Sequence, residues 1–345
     1  MKNPKYRYIF SVIVPTYNRV DELKELLFSL EQQTLSQDLF EVIIVDDGSE
    51  DSTSDLVEQF SAKGNLNITF LKQNHQGPGP ARNLGMNKAA GNFFVFIDSD
   101  CIADKNWLQA YAKKLETVLP AGFGGPDKVL PDFLPVQKAI DYSMTSFITT
   151  GGIRGHSKKK ISKYFPRSFN MGVRADIIDE IGGMGNLRHG QDIEFSNRII
   201  KTGQPVIKVD DAIVYHKRRI GIKKFFKQVF NWGVARINLF KLDSNMLELI
   251  HILPAIATII SMLIILMAVI IPNIFIPILI VGIGILVSMS IHAAIKYKDI
   301  RVLPYIPIIV PIQIWGYGFG FIYAFFKRII LKKDKLTGFT KNYYK

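Results

Sequence analysis

Short apolar runs alternate with helical patterns in the first hundred residues of the chain. The runs are rich in Val, Ile and Phe and cover residues 8–14, 40–45, 67–71 and 93–97. The segments between them follow helical spacing, most clearly in the leucine stripe from Leu23 to Leu30. Strands that are apolar throughout and alternate with helices are typical of a parallel sheet covered on both faces. The pattern therefore predicts an α/β fold.

Polar side chains follow three of these runs, at the point where each strand should end. Tyr17 follows the first run, Asp47 the second, and Asp98 and Asp100 the fourth. The carboxyl ends of parallel strands meet at one edge of a sheet, where open α/β proteins bind their ligands. Two carboxylates at this spacing suit a hard divalent cation. Asp and Ser are also favoured in ordinary turns and helix caps, so both interpretations stay open on these residues alone.

The composition changes after residue 245. Residues 249–271 and 275–295 are apolar and long enough to span a membrane. Residues 303–326 are a third candidate, which prolines near its start and glycines near its middle make weaker. The sequence thus predicts a membrane domain over residues 246–330, followed by a basic tail at 331–345.

The net charge of +13 is typical of proteins that meet nucleic acid or an anionic membrane. Much of the excess lies in basic clusters at residues 158–160, 217–219, 223–224, 327–328 and 332–333. The later clusters flank the apolar segments, and no nucleic-acid-binding signature is present, so membrane lipids rather than nucleic acid are the expected partner. The single cysteine, Cys101, excludes an internal disulfide and favours a reducing compartment.

Four segments resemble, in order, the successive motifs of the family 2 glycosyltransferases, which have the GT-A fold. They are SVIVPTYNR (11–19), VDDGS (45–49), GPGPARNLG (77–85) and FIDSDC (96–101). The resemblance implies a nucleotide-sugar donor and a divalent metal ion, Mn²⁺ or Mg²⁺. It implies that Asp100 ligates the metal and that Asp98 lies near the ribose or the metal. The full set of implied donor-binding residues is Pro15, Tyr17, Asp47, Arg82, Asp98 and Asp100.

A later segment, GQDIEF (190–195), resembles the family's Glu-Asp motif, in which the second acid is the catalytic base. Gln191 stands where Glu is usual, so Asp192 occupies the base position and Glu194 is the fallback. A base is needed because direct displacement at the anomeric carbon requires the acceptor hydroxyl to lose a proton. Acidic residues also favour the first turn of any helix, which is the alternative explanation of these two.

His216 follows the strand-like segment 212–215. In the family a histidine at this strand end can complete the metal site, which makes His216 a candidate third ligand. A surface histidine before a basic cluster is the alternative. The cluster at 217–219 would suit the donor diphosphate or lipid phosphates.

Residues 221–242 have a helical pattern in which aromatic and aliphatic side chains are interleaved with lysines. Such a helix can lie in the membrane interface, although packing against the soluble domain explains the pattern as well. Within it, QVFNW (228–232) resembles the Gln-x-x-Arg-Trp motif of processive members such as cellulose and hyaluronan synthases. Asn231 stands where Arg is expected, which weighs against processivity.

These patterns predict a catalytic domain at residues 1–220, with a donor half at 1–101 and an acceptor half at 102–220. An amphipathic interfacial region at 221–245 would join it to the membrane domain. Nucleotide-sugars are cytosolic, so the catalytic domain is expected at the cytoplasmic face of the cell membrane. The positive-inside rule then favours two spans plus a re-entrant or interfacial third segment over three full spans.

The sequence predicts a membrane-bound inverting glycosyltransferase. It would move a sugar from a nucleotide-sugar to a lipid-linked or polysaccharide acceptor, and a UDP-sugar is the expected donor. A processive polysaccharide synthase is the second hypothesis. The third is a non-catalytic membrane scaffold with the same fold, which the presence of Asp98, Asp100 and Asp192 argues against.

Overall fold

A computed structural model of the chain describes residues 6–128, 133–146, 149, 164–216 and 221–339. The basic clusters at 158–160 and 217–219, and the proposed phosphate contacts of the latter, lie outside the described residues. So do residues 340–345 of the basic tail.

A seven-stranded sheet forms the centre of the first domain, in the order β3-β2-β1-β4-β8-β6-β9. β1 to β4 are mutually parallel, β8 is antiparallel to both of its neighbours, and β6 is parallel to β9. This confirms the predicted mostly parallel sheet. The described strands are β1 (Tyr8–Thr16), β2 (Phe40–Asp46), β3 (Ile68–Lys72), β4 (Gly91–Phe96), β5 (Cys101–Ala103), β6 (Gly122–Gly124), β7 (Asp127–Lys128), β8 (Met171–Arg174), β9 (Val206–Lys208) and β10 (Val214–His216).

Helices cover both faces of this sheet. Alternate residues of each strand point to opposite faces, so Val12 packs with the leucines of α1 while Ile13 packs with Met86 of α3. The described helices are α1 (Val20–Glu31), α2 (Thr53–Lys63), α3 (Pro78–Lys88), α4 (Trp107–Leu115), α5 (Pro135–Thr145), α6 (Ala175–Ile181), α7 (Gln191–Lys201), α8 (Ile222–Leu242), α9 (Leu249–Ile270), α10 (Pro272–Tyr297) and α11 (Ile306–Phe325).

A second, three-stranded sheet in the order β5-β10-β7 lies beside the first. β10 is antiparallel to β5, and its register places His216 opposite Cys101. The end of the last strand of the domain is thereby brought next to Asp100, although the two residues are far apart in sequence.

α9 and α10 form a helical hairpin, with the turn at Ile271 and Pro272. Residues 262–285 of this hairpin are exposed or half-buried throughout, although they are almost all apolar. Such a surface is stable in lipid rather than in water. The described residues contain three helical segments long and apolar enough to cross a membrane, namely Leu249–Ile270, Pro272–Tyr297 and Ile306–Ile330.

α11 differs from the hairpin helices because it lies along α8, and the two helices run parallel. Its glycines allow close approach: a Cβ atom at Gly316 would lie 2.4 Å from Val229 Cγ2, and one at Gly320 would lie 2.0 Å from the Phe230 carbonyl oxygen. Further along, Phe321 packs with Val234. The two helices therefore form one closely packed layer.

This layer covers part of the aromatic face of α8. Phe225 is buried against α5, α10 and α11. The interfacial placement of residues 221–245 stays a prediction. Trp232 is half-buried in the same cluster. Three lysines in the first turns of α8 are exposed, namely Lys223, Lys224 and Lys227.

Residues 331–339 of the basic tail turn back along α8; we refer to them as the C-terminal strap. Asn238 of α8 donates a hydrogen bond from Nδ2 to the Leu336 carbonyl at 2.7 Å. The ring of Phe339 lies 4.7 Å from that of Phe230, centroid to centroid. The strap thus adds to the layer formed by α8 and α11.

Candidate active site

The carboxyl ends of β1, β2 and β4 meet at one edge of the sheet, as predicted. Asp47, at the end of β2, is buried, and its carboxylate accepts hydrogen bonds from the backbone N–H groups of Gln76 and Gly77, both at 2.8 Å. Gly77 has a φ of +100°, a conformation that favours glycine. Asp47 therefore fixes the loop that opens α3.

Tyr17 is exposed at the end of β1, and its ring stacks on His75, with centroids 4.2 Å apart. His75 Nδ1 lies 2.9 Å from Asp47 Oδ2. A stacked, exposed pair of rings at a ligand-binding edge suits a nucleotide base. Pro15 is buried inside β1, opposite Val45, so it shapes the strand end.

Each acid of the Asp98-Ser99-Asp100 segment pairs with an arginine. Arg82 is buried in α3, and its Nη2 lies 2.5 Å from Asp98 Oδ1. Arg19 Nη1 lies 2.7 Å from Asp100 Oδ2. Two guanidinium groups thus lie beside the two carboxylates, an arrangement that can hold phosphate oxygens.

Asp100, Cys101 and His216 form a cluster in which ligand atoms lie within 4.8 Å of one another. His216 Nε2 is 3.2 Å from Asp100 Oδ1. The other ring nitrogen, Nδ1, is buried and has no hydrogen-bond partner among the described residues. The ring of Phe169 stacks on the imidazole at a centroid distance of 5.4 Å and so holds its orientation.

The donor set of this cluster fits a divalent ion held by oxygen and nitrogen. Carboxylate and imidazole groups are suitable ligands for Mn²⁺. Burial, aided by Asp98 and Asp100, raises the pKa of the Cys101 thiol well above its usual value. Thiol sulfur is a soft ligand and suits Mn²⁺ less well than carboxylate oxygen or imidazole nitrogen does. Asp98 lies outside the cluster and faces Arg82.

A cavity of about 850 Å³ begins at Arg82 and Asp98 and passes Asp192. It continues to the first turns of α9, where Leu249 and Leu253 line it. The donor edge of the sheet and the membrane hairpin are thus joined by one continuous space.

Asp192 lies in the first turn of α7 and lines this cavity. Its Oδ2 is 2.7 Å from Arg167 Nε, which fixes the carboxylate. Glu194 does not line the cavity and is paired with both Nε and Nη2 of Arg198, at 2.7 and 3.0 Å. Gln191 is buried, and its amide donates to the Gly185 carbonyl. Of the two acids, only Asp192 is placed to meet an acceptor.

Sequence reasoning did not find Arg19, His75 or Arg167. Arg19 and His75 lie inside or just before the quoted motifs, and their polar character next to a strand end was the available signal. Arg167 lies in a segment without a recognisable motif, and only the tertiary fold brings it to Asp192.

Comparisons with known proteins identify the family of the chain. Residues 11–182 match the family described as Glycosyl transferase family 2. The chain is 28% identical over 239 residues to the glycosyltransferase AglE of Haloferax volcanii, covering 68% of this chain and 74% of AglE. It is 27% identical over 248 residues to the chondroitin synthase of Escherichia coli, covering 61% of this chain and 35% of that protein.

A shorter match with a higher identity is to the poly(ribitol-phosphate) beta-N-acetylglucosaminyltransferase TarS of Staphylococcus aureus. The identity is 45% over 100 residues, which is 29% of this chain and 18% of TarS. The chain thus spans less than two thirds of TarS and of the chondroitin synthase.

Among solved structures, the mannosyltransferase PcManGT of Pyrobaculum calidifontis, in complex with GDP-Man and Mn²⁺, superimposes with a TM-score of 0.62. The sequence identity is 18%, and the match covers 91% of this chain and 89% of that one. This likeness shows that the two proteins share a fold.

Proposed function

Because the chain belongs to the family 2 glycosyltransferases, which use nucleotide-sugar donors, we propose that it transfers a sugar from a UDP-sugar to a lipid-linked or polysaccharide acceptor at the cell membrane, with inversion at the anomeric carbon. The observation that carries the proposal is the cavity that joins Arg82 and Asp98 to Asp192 and then to α9.

On the donor side, Tyr17 and His75 offer a surface on which the base can stack. Arg82 and Arg19 lie where the diphosphate would meet the two carboxylates. Asp100 and His216 would hold a Mn²⁺ or Mg²⁺ ion. When bound, this ion offsets the negative charge that develops on the leaving nucleoside diphosphate.

On the acceptor side, Asp192 removes the proton from the acceptor hydroxyl as the hydroxyl attacks the anomeric carbon. The carbon–oxygen bond to the diphosphate breaks on the opposite face of the sugar, which inverts the configuration. Arg167 orients the Asp192 carboxylate towards the cavity. Glu194 takes no part because Arg198 holds it away from the cavity.

The direct test uses the purified full chain with Mn²⁺, lipid extract and a panel of UDP-sugars with GDP-Man as a comparator. The expected result is transfer of one sugar from a UDP-sugar to a lipid-soluble product. Transfer from GDP-Man alone would correct the nucleotide, and failure to bind any donor would overturn the proposed function.

The packing of α11 supports a two-span membrane topology. The hydrogen bonds that the described residues of α11 form with α9 lie in the first half of α9, where Tyr317 donates to the His251 carbonyl at 3.1 Å and Trp315 Nε1 donates to Ser261 Oγ at 2.9 Å. With α10, α11 packs around Met289 and Ala293, near the C-terminal end of α10. A third span that crosses between the same two membrane faces would pack along the whole hairpin and bury part of it. Residues 262–285 of the hairpin are instead exposed or half-buried throughout.

Both ends of α11 also lie against elements on the catalytic-domain side. Ile306, at its start, packs with Ile140 of α5. Just beyond its end, Arg328 donates to Asn238 Oδ1 at 2.7 Å. α11 therefore lies between the catalytic domain and the hairpin, as an interfacial helix would.

With two spans, the basic residues 296–301 and the C-terminal strap lie on the same side as the catalytic domain. This arrangement agrees with the positive-inside rule when the catalytic domain is cytoplasmic. We propose this topology for the membrane domain at residues 246–330.

A further inference from the structure

The membrane-side end of the cavity has a different lining from its catalytic end. Arg236 of α8, His251 of α9, and Gln313 and Tyr317 of α11 supply polar groups there. Most of the remaining wall is apolar and includes Leu249 and Leu253 of α9. A few polar groups in an apolar chamber are typical of a specific ligand site.

Arg236 is a largely buried cation. Its Nη1 donates to the Met246 carbonyl at 3.1 Å, and no carboxylate among the described residues forms an ion pair with it. Burial lowers the pKa of this guanidinium. The hydrogen-bonded Tyr317 raises this pKa, the positive charge of Arg167 lowers it, and the carboxylate of Glu248 raises it. An arginine stays charged even so. A buried cation of this kind is costly by itself and is stabilised by an anionic ligand.

Gln313 gives a second, independent indication. Its side chain is only 8% exposed, and Oε1 has no hydrogen-bond partner among the described residues. Buried amide groups are normally paired. The oxygen and nitrogen of an amide are assigned from the surrounding network, so either end can face a ligand. A polar group of a bound ligand would supply the missing hydrogen bond to the Gln313 amide.

The apolar part of the lining shows how the ligand enters. Leu249 is 82% exposed and Leu253 is 56% exposed, so the chamber is continuous with the lipid-facing surface of α9. A soluble anion or a polysaccharide would gain nothing from such a wall. A phosphate carried on a hydrocarbon chain would place its chain along the wall and its charge at Arg236.

We propose that Arg236 and Gln313 bind the phosphate of an isoprenyl phosphate or diphosphate, whose chain lies along α9. This assignment rests on the proposed function and deepens it, because a sugar already linked to that phosphate would present its acceptor hydroxyl to Asp192. Arg236 is a binding residue for the acceptor and takes no part in proton transfer.

The test measures the binding of farnesyl phosphate to the full chain in phosphatidylcholine nanodiscs, with farnesol and inorganic phosphate as comparators. We expect farnesyl phosphate to bind at least about tenfold more tightly than either comparator. Farnesol lacks the phosphate that Arg236 would bind, and inorganic phosphate lacks the hydrocarbon chain that would lie along α9. Arg236→Gln should weaken its binding about tenfold or more. Lys241→Gln, an exposed change on the same helix, should have no effect.

Gln313→Leu serves as the second variant, since it removes only a buried amide and keeps the apolar packing of α11. We expect it to weaken farnesyl phosphate binding about threefold. Donor affinity should be unchanged in all three variants. A wild-type chain that binds farnesyl phosphate but no nucleotide-sugar would keep the lipid site and refute the proposed function.

Three outcomes would overturn the lipid-phosphate site. The first is equal binding of farnesyl phosphate by the wild type and both cavity variants. The second is equal binding of farnesol, which would mean that the phosphate is not recognised. The third is full competition by phosphatidylglycerol at equal concentration, which would identify a general phospholipid headgroup site.

Discussion

The backbone N–H of Phe339 donates a hydrogen bond to Asn231 Oδ1 at 2.8 Å. Asn231 is the position at which the processive motif resembled by QVFNW has arginine. Here the side chain is buried and holds the C-terminal strap. Gly338 leaves no space for a larger group, because a Cβ atom there would lie 2.3 Å from the same oxygen.

We therefore expect Asn231→Arg to displace the strap. Limited proteolysis should then cut at Lys335 at least about tenfold faster, because the opening of an anchored segment governs its cleavage. Asn186→Ala, which removes only a long exposed contact to Lys335, is the control and should leave the cleavage rate unchanged. An unaltered rate in Asn231→Arg would show that the strap does not depend on this residue.

Asp192→Asn should abolish sugar transfer while leaving donor binding intact. The amide keeps the shape of the carboxylate but cannot accept the proton, and loss of a general base typically costs about 10²- to 10⁴-fold in rate. Turnover and nucleotide-sugar affinity are measured on the same preparation. Glu194→Gln is the matched control, and retained turnover in Asp192→Asn combined with loss in Glu194→Gln would transfer the base role to Glu194.

Removal of divalent metal with a chelator should stop transfer, and Mn²⁺ should restore it. His216→Ala should weaken Mn²⁺ binding, followed by electron paramagnetic resonance, about 10- to 100-fold, because one nitrogen ligand is lost. Cys101→Ala should leave Mn²⁺ binding unchanged, since Mn²⁺ prefers oxygen and nitrogen ligands to a thiol sulfur. Equal weakening by both substitutions would make the thiol a ligand.

The strands were predictable because their residues are apolar throughout, a pattern that few other structures allow. β1 and β2 are buried at every position, and both strands appear where the sequence placed them. The proximity of His216 to Asp100 depends on the antiparallel register of β10 with β5, which no local pattern encodes. Only the family resemblance indicated it.

The surroundings of α8 were not predictable for a related reason. An aromatic and aliphatic face looks the same in sequence whether lipid or protein covers it. The structure covers the face with α11, whose glycines permit the contact. In the sequence Arg236 is only one of the basic residues of the 221–242 helical pattern. Its place at the cavity, with no ion pair to a carboxylate among the described residues, depends on the tertiary fold.

The two-span topology predicts that the C-terminus is cytoplasmic. A reporter fused after Lys345 should be active only as a cytoplasmic reporter. A cysteine introduced at Asn273, in the first turn of α10, should be labelled from outside by an impermeant thiol reagent in a Cys101→Ala background. An external C-terminus would exclude the two-span arrangement and make α11 a full span.

Gly320→Ala tests the close packing of α8 and α11. The added carbon would meet the Phe230 carbonyl oxygen at 2.0 Å, and backbone on both sides leaves no flexible group to move aside. Overpacking of this kind typically costs about 1–3 kcal/mol, which exceeds the gain in helix propensity of about 1 kcal/mol. The thermal unfolding midpoint of the detergent-solubilised chain should fall.

Gly282→Ala in α10 is the matched control, because a Cβ atom there meets nothing within 4 Å. This substitution makes the same chemical change in another apolar helix, and we expect its midpoint to stay the same or rise. If Gly320→Ala also left the midpoint unchanged, α11 would not be packed against α8 in the membrane-bound protein. α11 would then not be the interfacial helix proposed above.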